Sequence, residues 1–96
     1  MERILNISSP AAHKEIGKCL EGKSIFEMTV WTREHAQHLI WFCGYDKEKI
    51  EAIMKPFIQI SYIYYTNYGD GCDSETIENF KALCIVCVLA LEIECK

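Results

Sequence analysis

Apolar residues recur along most of this chain at helical spacing, and the breaks in that spacing fall at residues that end helices. Ser9 followed by Pro10 is an N-cap and first-turn pair, and Gly22 is a stop, so residues 10–21 are predicted helical. Ala12, Ile16, Cys19 and Leu20 share one side of that helix, while Lys14, Glu15, Lys18 and Glu21 share the other. Residues 23–30 fit two patterns. Phe26, Met28 and Val30 alternate as in a strand, and the same residues suit an early start of the next helix. Thr32 then reads as the N-cap of a helix over 33–43 that stops at Gly44. Its core face is Ala36, Leu39, Ile40, Phe42 and Cys43; Arg33, Glu34, Gln37 and His38 are wet, and Trp41 projects among them.

Asp46 caps a long helix running towards Tyr68 with Pro56 inside it. A proline removes one backbone hydrogen bond and crowds the preceding turn, so it kinks or divides a helix. The apolar stripe Ile50, Ile53, Met54, Phe57, Ile60, Tyr64 and Tyr68 holds its phase through Pro56, which favours a kink. Beyond the proline a second apolar side opens at Ile58, Tyr62 and Tyr65, where Lys47, Glu51 and Lys55 stood before. The last helix, 75–94, follows the turn over 69–73. It is apolar on one side at Ile77, Phe80, Cys84, Cys87 and Leu91, and on another at Leu83, Val86, Ala90 and Ile93. A third stripe, Glu78, Lys81, Ile85, Leu89, Glu92 and Lys96, is charged at both ends and apolar in the middle. A lone chain with three other helices is expected to leave Ile85 and Leu89 in water.

The pattern predicts an all-α fold in one domain spanning 1–96: a compact bundle of four to five helices with a Pro-kinked third helix and a buried C-terminal helix. The other reading is α+β, with a short strand at 23–30.

Composition changes this picture little. Half of the 96 residues are apolar and a quarter charged, as in a globular domain. The net charge of -4, with lysines and arginines scattered singly, argues against a nucleic-acid-binding module, which carries a basic stripe. The run 82–91 falls short of the ~20 apolar residues a membrane span needs. The first residues lack the basic and apolar regions of a signal peptide, which sets the expectation of a cytoplasmic chain. Six cysteines raise the question of disulfides, but four sit inside apolar helical patterns, where a reduced cysteine behaves as a small buried hydrophobe.

Candidate chemistry is thin. His35 and His38 with Cys84 and Cys87 make an H-x-x-H and a C-x-x-C on two helices, the ligand types of a tetrahedral zinc site. The cysteines, however, are embedded among Leu83, Ile85, Val86 and Val88 with no polar neighbours to orient them. A redox C-x-x-C needs its first cysteine at a helix N-terminus, and Cys84 is mid-helix. His13, His35 and His38 suit the boundaries of amphipathic helices, so no nucleophile and base are evident. Asp70 and Asp73 are explained by turn and cap, and the stretch lacks the ligands of a calcium loop. No glycine-rich phosphate loop exists. The sequence therefore implies no cofactor and no metal.

The aromatic residues carry more. Tyr64 and Tyr68 read as core with hydroxyls reaching solvent; Tyr62 and Tyr65 with Ile58 read as an interface, since tyrosine gives large contact area at low entropy cost. Trp41 and His38 are placed with them, unless Ile4, Leu5 and Ile7 fold over Trp41. The expected function is a small non-enzymatic protein-binding or inhibitory module, a homodimer that self-associates through Ala82, Ile85 and Leu89 and meets a larger partner through the aromatic surface. The type is that of small accessory or anti-defence proteins of phages and mobile elements, an analogy of kind and not of motif. The runner-up is a small-ligand or nucleotide-binding protein whose aromatic pocket lies between protomers, with Arg33, Lys47 or Lys55 meeting an anionic group. A zinc or redox protein comes third.

Overall fold

The ambiguous segment 23–30 is helical from Ile25 onward, and the reason lies in two side chains at its start. The computed structural model describes residues 10–68 and 73–95. In it Ser24 and Glu27 form a reciprocal cap: the Glu27 backbone N–H donates to Ser24 Oγ at 3.1 Å, and the Ser24 N–H donates to Glu27 Oε1 at 2.9 Å. Two backbone donors that a helix start leaves unpaired are thereby satisfied, and the helix begins at Ile25. Hydrogen bonds from the Ser24 backbone N–H and then its side chain hold the Glu27 carboxyl below its ordinary range. The strand reading of 23–30 is overturned, and so is Thr32 as an N-cap. Thr32 is fully buried in mid-helix, where its hydroxyl donates to the Met28 carbonyl at 2.9 Å.

Among the described residues four helices result: α1 Pro10–Leu20, α2 Ile25–Cys43, α3 Lys47–Tyr68 and α4 Ser74–Glu94. No strand occurs among the described residues. The Ser9 cap expected for α1 lies outside them, as do Ile4, Leu5 and Ile7 and the turn residues Asp70, Gly71 and Cys72. Gly44 ends α2 as expected, in the left-handed conformation (φ 71°) that glycine adopts without steric cost, and its N–H donates to the Leu39 carbonyl. Asp46 Oδ1 accepts from the N–H groups of Glu48 and Lys49 and so starts α3. Asp73 caps α4 by accepting from the Thr76 N–H at 2.9 Å, and the Thr76 side chain and this backbone bond together keep its carboxyl below the usual carboxylate range. Helix α3 runs through Pro56 without interruption. Pro56 and Ala52 are both exposed, so the carbonyl that the proline leaves without a donor faces water.

Helix α4 is the centre of the bundle. Helices α2 and α3 pack on each other and on α4, and α1 rests chiefly on α4. The expected stripe of α4 is buried at Phe80, Cys84, Cys87 and Leu91. Ile25, Met28 and Leu39 from α2 and Ile50, Met54 and Phe57 from α3 complete the same cluster, with Leu20 from α1. The Phe80 ring lies 5.9 Å from Phe57 and 5.0 Å from Tyr64, centroid to centroid.

Four expectations of the packing are corrected. Ile85 and Leu89 do not stay in water: they are 8% and 7% exposed, because α1 covers them. Ile85 Cδ1 lies 3.9 Å from where a side chain on Gly17 of α1 would begin, an ordinary van der Waals distance between the two helices. Phe42 and Cys43 are not core. The buried stripe Ile25, Met28, Thr32, Ala36 and Leu39 ends one turn before Gly44, which leaves Phe42 76% exposed and Cys43 in the open. Cys19 is likewise exposed on α1, and Val86 on α4. No helix among the described residues is long and apolar enough to cross a membrane.

Candidate functional site

Once the core is assigned, the exposed apolar residues concentrate on α2 and α3. On α2, Phe26, Val30 and Trp41 follow one another at helical spacing with Arg33 and Gln37 between them, along the outer face. On α3, Ile58, Tyr62 and Tyr65 do the same. The two rows meet where the rings of Phe26 and Tyr65 lie 6.2 Å apart. Phe26 is 58% exposed, Trp41 71% and Tyr62 69%, values that leave most of each ring in water. Between the helices runs a groove of about 430 Å³ with a floor of Ala36, Ile40, Ile50, Met54 and Ile58. Its rim is polar and carries both signs of charge: Arg33, Glu51 and Lys55, with Gln37 and Gln59.

The structure thus brings Ile58, Tyr62 and Tyr65 into one surface and adds Phe26, which the sequence reading left in its undecided segment. The signal for Phe26 was the Ser24-to-Glu27 capping box, which fixes the helical phase from Ile25 onward. Trp41 continues the α2 row at its far end. His38 is on a neighbouring flank, its ring 5.2 Å from that of Phe42. Tyr64 is half-buried against Phe80, and Tyr68 is exposed beside it with ring centroids 5.8 Å apart. Of the self-association set, Ala82 is exposed while Ile85 and Leu89 lie under α1. Arg33 and Lys55 do share a groove, and Lys47 is exposed at the start of α3.

A second groove, of about 550 Å³, opens between α1, α2 and α4. Trp31 and His35 stand on its α2 wall with their rings stacked, 5.4 Å apart and 6° from parallel. His35 Nε2 lies 3.4 Å from Glu92 Oε1 on α4. Nothing in the sequence pairs His35 with a residue 57 positions away, so this contact was not legible before the helices were placed.

The zinc reading asked His35, His38, Cys84 and Cys87 to converge. They do not: His35 faces Glu92, His38 faces Phe42, and Cys87 Sγ is 3.7 Å from Met54 Sδ. Among the described residues no three His, Cys, Asp or Glu side chains gather as a metal set. Burial pushes the Cys84 thiol up to about 11, partly offset by the Thr32 hydroxyl, and the Cys87 thiol up to about 12. Burial raises Cys95 as well. Thiolate is the reactive form, so these three are inert, whereas Cys19 and Cys43 are exposed and free. Titration of the native protein with a disulfide reagent at pH 8, read by mass spectrometry, is expected to label Cys19 and Cys43 fast. Cys84, Cys87 and Cys95 should react only on addition of denaturant. Fast native labelling of Cys84 would show that α2 does not cover it.

No protein-family model, no curated protein and no solved structure matches this chain.

Proposed function

We propose that the chain is a small protein-binding module without chemistry of its own, acting as a homodimer through the α2–α3 face. The observation that carries this reading is the joined row of exposed rings and aliphatics, Phe26 with Tyr65, then Tyr62, Ile58 and Val30. Scattered apolar residues on a surface need no explanation; a contiguous set around a groove marks a site of association. Tyrosine and tryptophan supply most of the binding energy at such sites, and a rim of mixed charge sets the register of a partner. The face replaces Ile85 and Leu89 as the self-association surface, since α1 occupies that stripe. Trp41 and His38, towards the other end of α2, are left for a larger partner protein. Free thiols and mild acidity suit a reducing cytoplasm. In kind, the protein fits the accessory or inhibitory proteins of phages and mobile elements that work by covering a surface of something larger.

Light scattering of the reduced protein tests this. The wild type is expected at twice the 11.1 kDa of one chain, and Tyr62→Glu at the mass of one chain with an unchanged helical circular-dichroism spectrum. Tyr62 is on the surface, so the substitution leaves the core intact. A wild-type monomer, or a Tyr62→Glu protein that stays dimeric, overturns the assignment of this face to self-association.

A further inference from the structure

Three helices build the second groove. Ile16 comes from α1, Val88 and Leu89 from α4, and the Trp31 and His35 stack from α2. Its volume, about 550 Å³, is that of a small-molecule site, and like such sites it combines an apolar lining with a few polar groups. Those polar groups are unevenly signed. Two carboxylates, Glu15 and Glu92, share the groove with one ammonium, Lys18, and with His35, which is charged only when protonated. Lys18 lies on the exposed side of α1, where its long stem carries the charge out to water. Glu92 differs, being half-buried and held in place by His35.

Among the described lining residues this sign balance disfavours a phosphate or carboxylate ligand, which two carboxylates repel and one exposed lysine holds weakly. It suits the opposite charge. An indole attracts a cation through its electron-rich π system, and a partly desolvated carboxylate pairs with one. We infer that the groove is a binding site for a small organic cation with an apolar or aromatic body, of the amidinium or alkylammonium class. The body rests on Ile16, Val88 and Leu89, and the cationic head meets Glu92 beside Trp31 and His35.

Benzamidine is a suitable probe, with benzoate as the same body carrying the opposite charge. Trp41→Phe removes the other tryptophan, which is exposed and clear of this groove, so that fluorescence reports Trp31 alone. Benzamidine is expected to give a saturable change that benzoate does not. In the same background Glu92→Gln should weaken benzamidine about fivefold, the worth of one partly exposed ion pair. Lys18→Met should leave binding equal or tighter, since it removes a competing cation. Melting curves by circular dichroism establish that each variant is folded. The site is overturned if benzamidine shows no saturation, if benzoate binds equally, if folded Glu92→Gln binds as the parent does, or if Lys18→Met weakens binding.

Discussion

Phe80→Ala is expected to cost about 3–5 kcal/mol and to lower the midpoint of thermal unfolding by roughly 15–30 °C. The side chain is wholly buried on the central helix, with one aromatic neighbour on each side, Phe57 and Tyr64. Both neighbours belong to α3, whose backbone is fixed by its own hydrogen bonds and cannot fold inward to fill the space. The lost transfer energy is therefore joined by the energy of a persistent cavity. Domains of this size have about 5–15 kcal/mol of stability in all, so the loss is a large share of it. Urea unfolding followed by circular dichroism measures it directly. A change below about 1 kcal/mol would mean that α3 and α4 do not pack through this ring.

Leu89→Glu separates two accounts of the last helix. Were Leu89 on a self-association surface, the variant would be a soluble monomer as stable as the parent. The structure buries Leu89 under α1 in the groove that Ile16 and Cys19 also line, so the expected result is a loss of about 3–5 kcal/mol, as for an uncompensated buried charge. The loss has a pH signature. A carboxyl forced into that position resists ionisation, which raises its folded pKa above the unfolded value. The folded variant then fares best below the ordinary glutamate range and weakens as pH rises through the raised pKa. Urea midpoints at pH 5 and pH 8 should diverge for the variant and not for the parent. A variant as stable as the parent at both would place Leu89 on the surface.

The architecture was legible where one residue acts alone. Gly44, Asp46 and Asp73 each end or start a helix through contacts within a few residues, and each sits where the sequence puts it. The start of α2 was missed because it depends on a reciprocal pair, Ser24 with Glu27, and because Thr32 offers a competing signal. A threonine hydroxyl that can cap a helix can equally bond back to the carbonyl four residues before it, as Thr32 does to Met28. Periodicity identified Ile85 and Leu89 as apolar but could not say that α1, which packs chiefly on α4 far along the chain, would lie over them. The same limit applies to the surfaces. Ile58, Tyr62 and Tyr65 were visible as a surplus apolar side of α3, whereas the junction of Tyr65 with Phe26 and the approach of Glu92 to His35 exist only once helices are placed side by side.

The central position of α4 also bears on how the chain matures. Proteins are made from the N-terminus, at about 5–20 residues per second. Helices α1, α2 and α3 leave the ribosome before the helix against which all of them bury their apolar faces. Until α4 emerges, Leu20, Ile25, Met28 and Phe57 have no Phe80, Cys84 or Leu91 to close over them. Helices α2 and α3 can pair with each other before that, but their shared cluster stays open on one side, and closing it waits for α4.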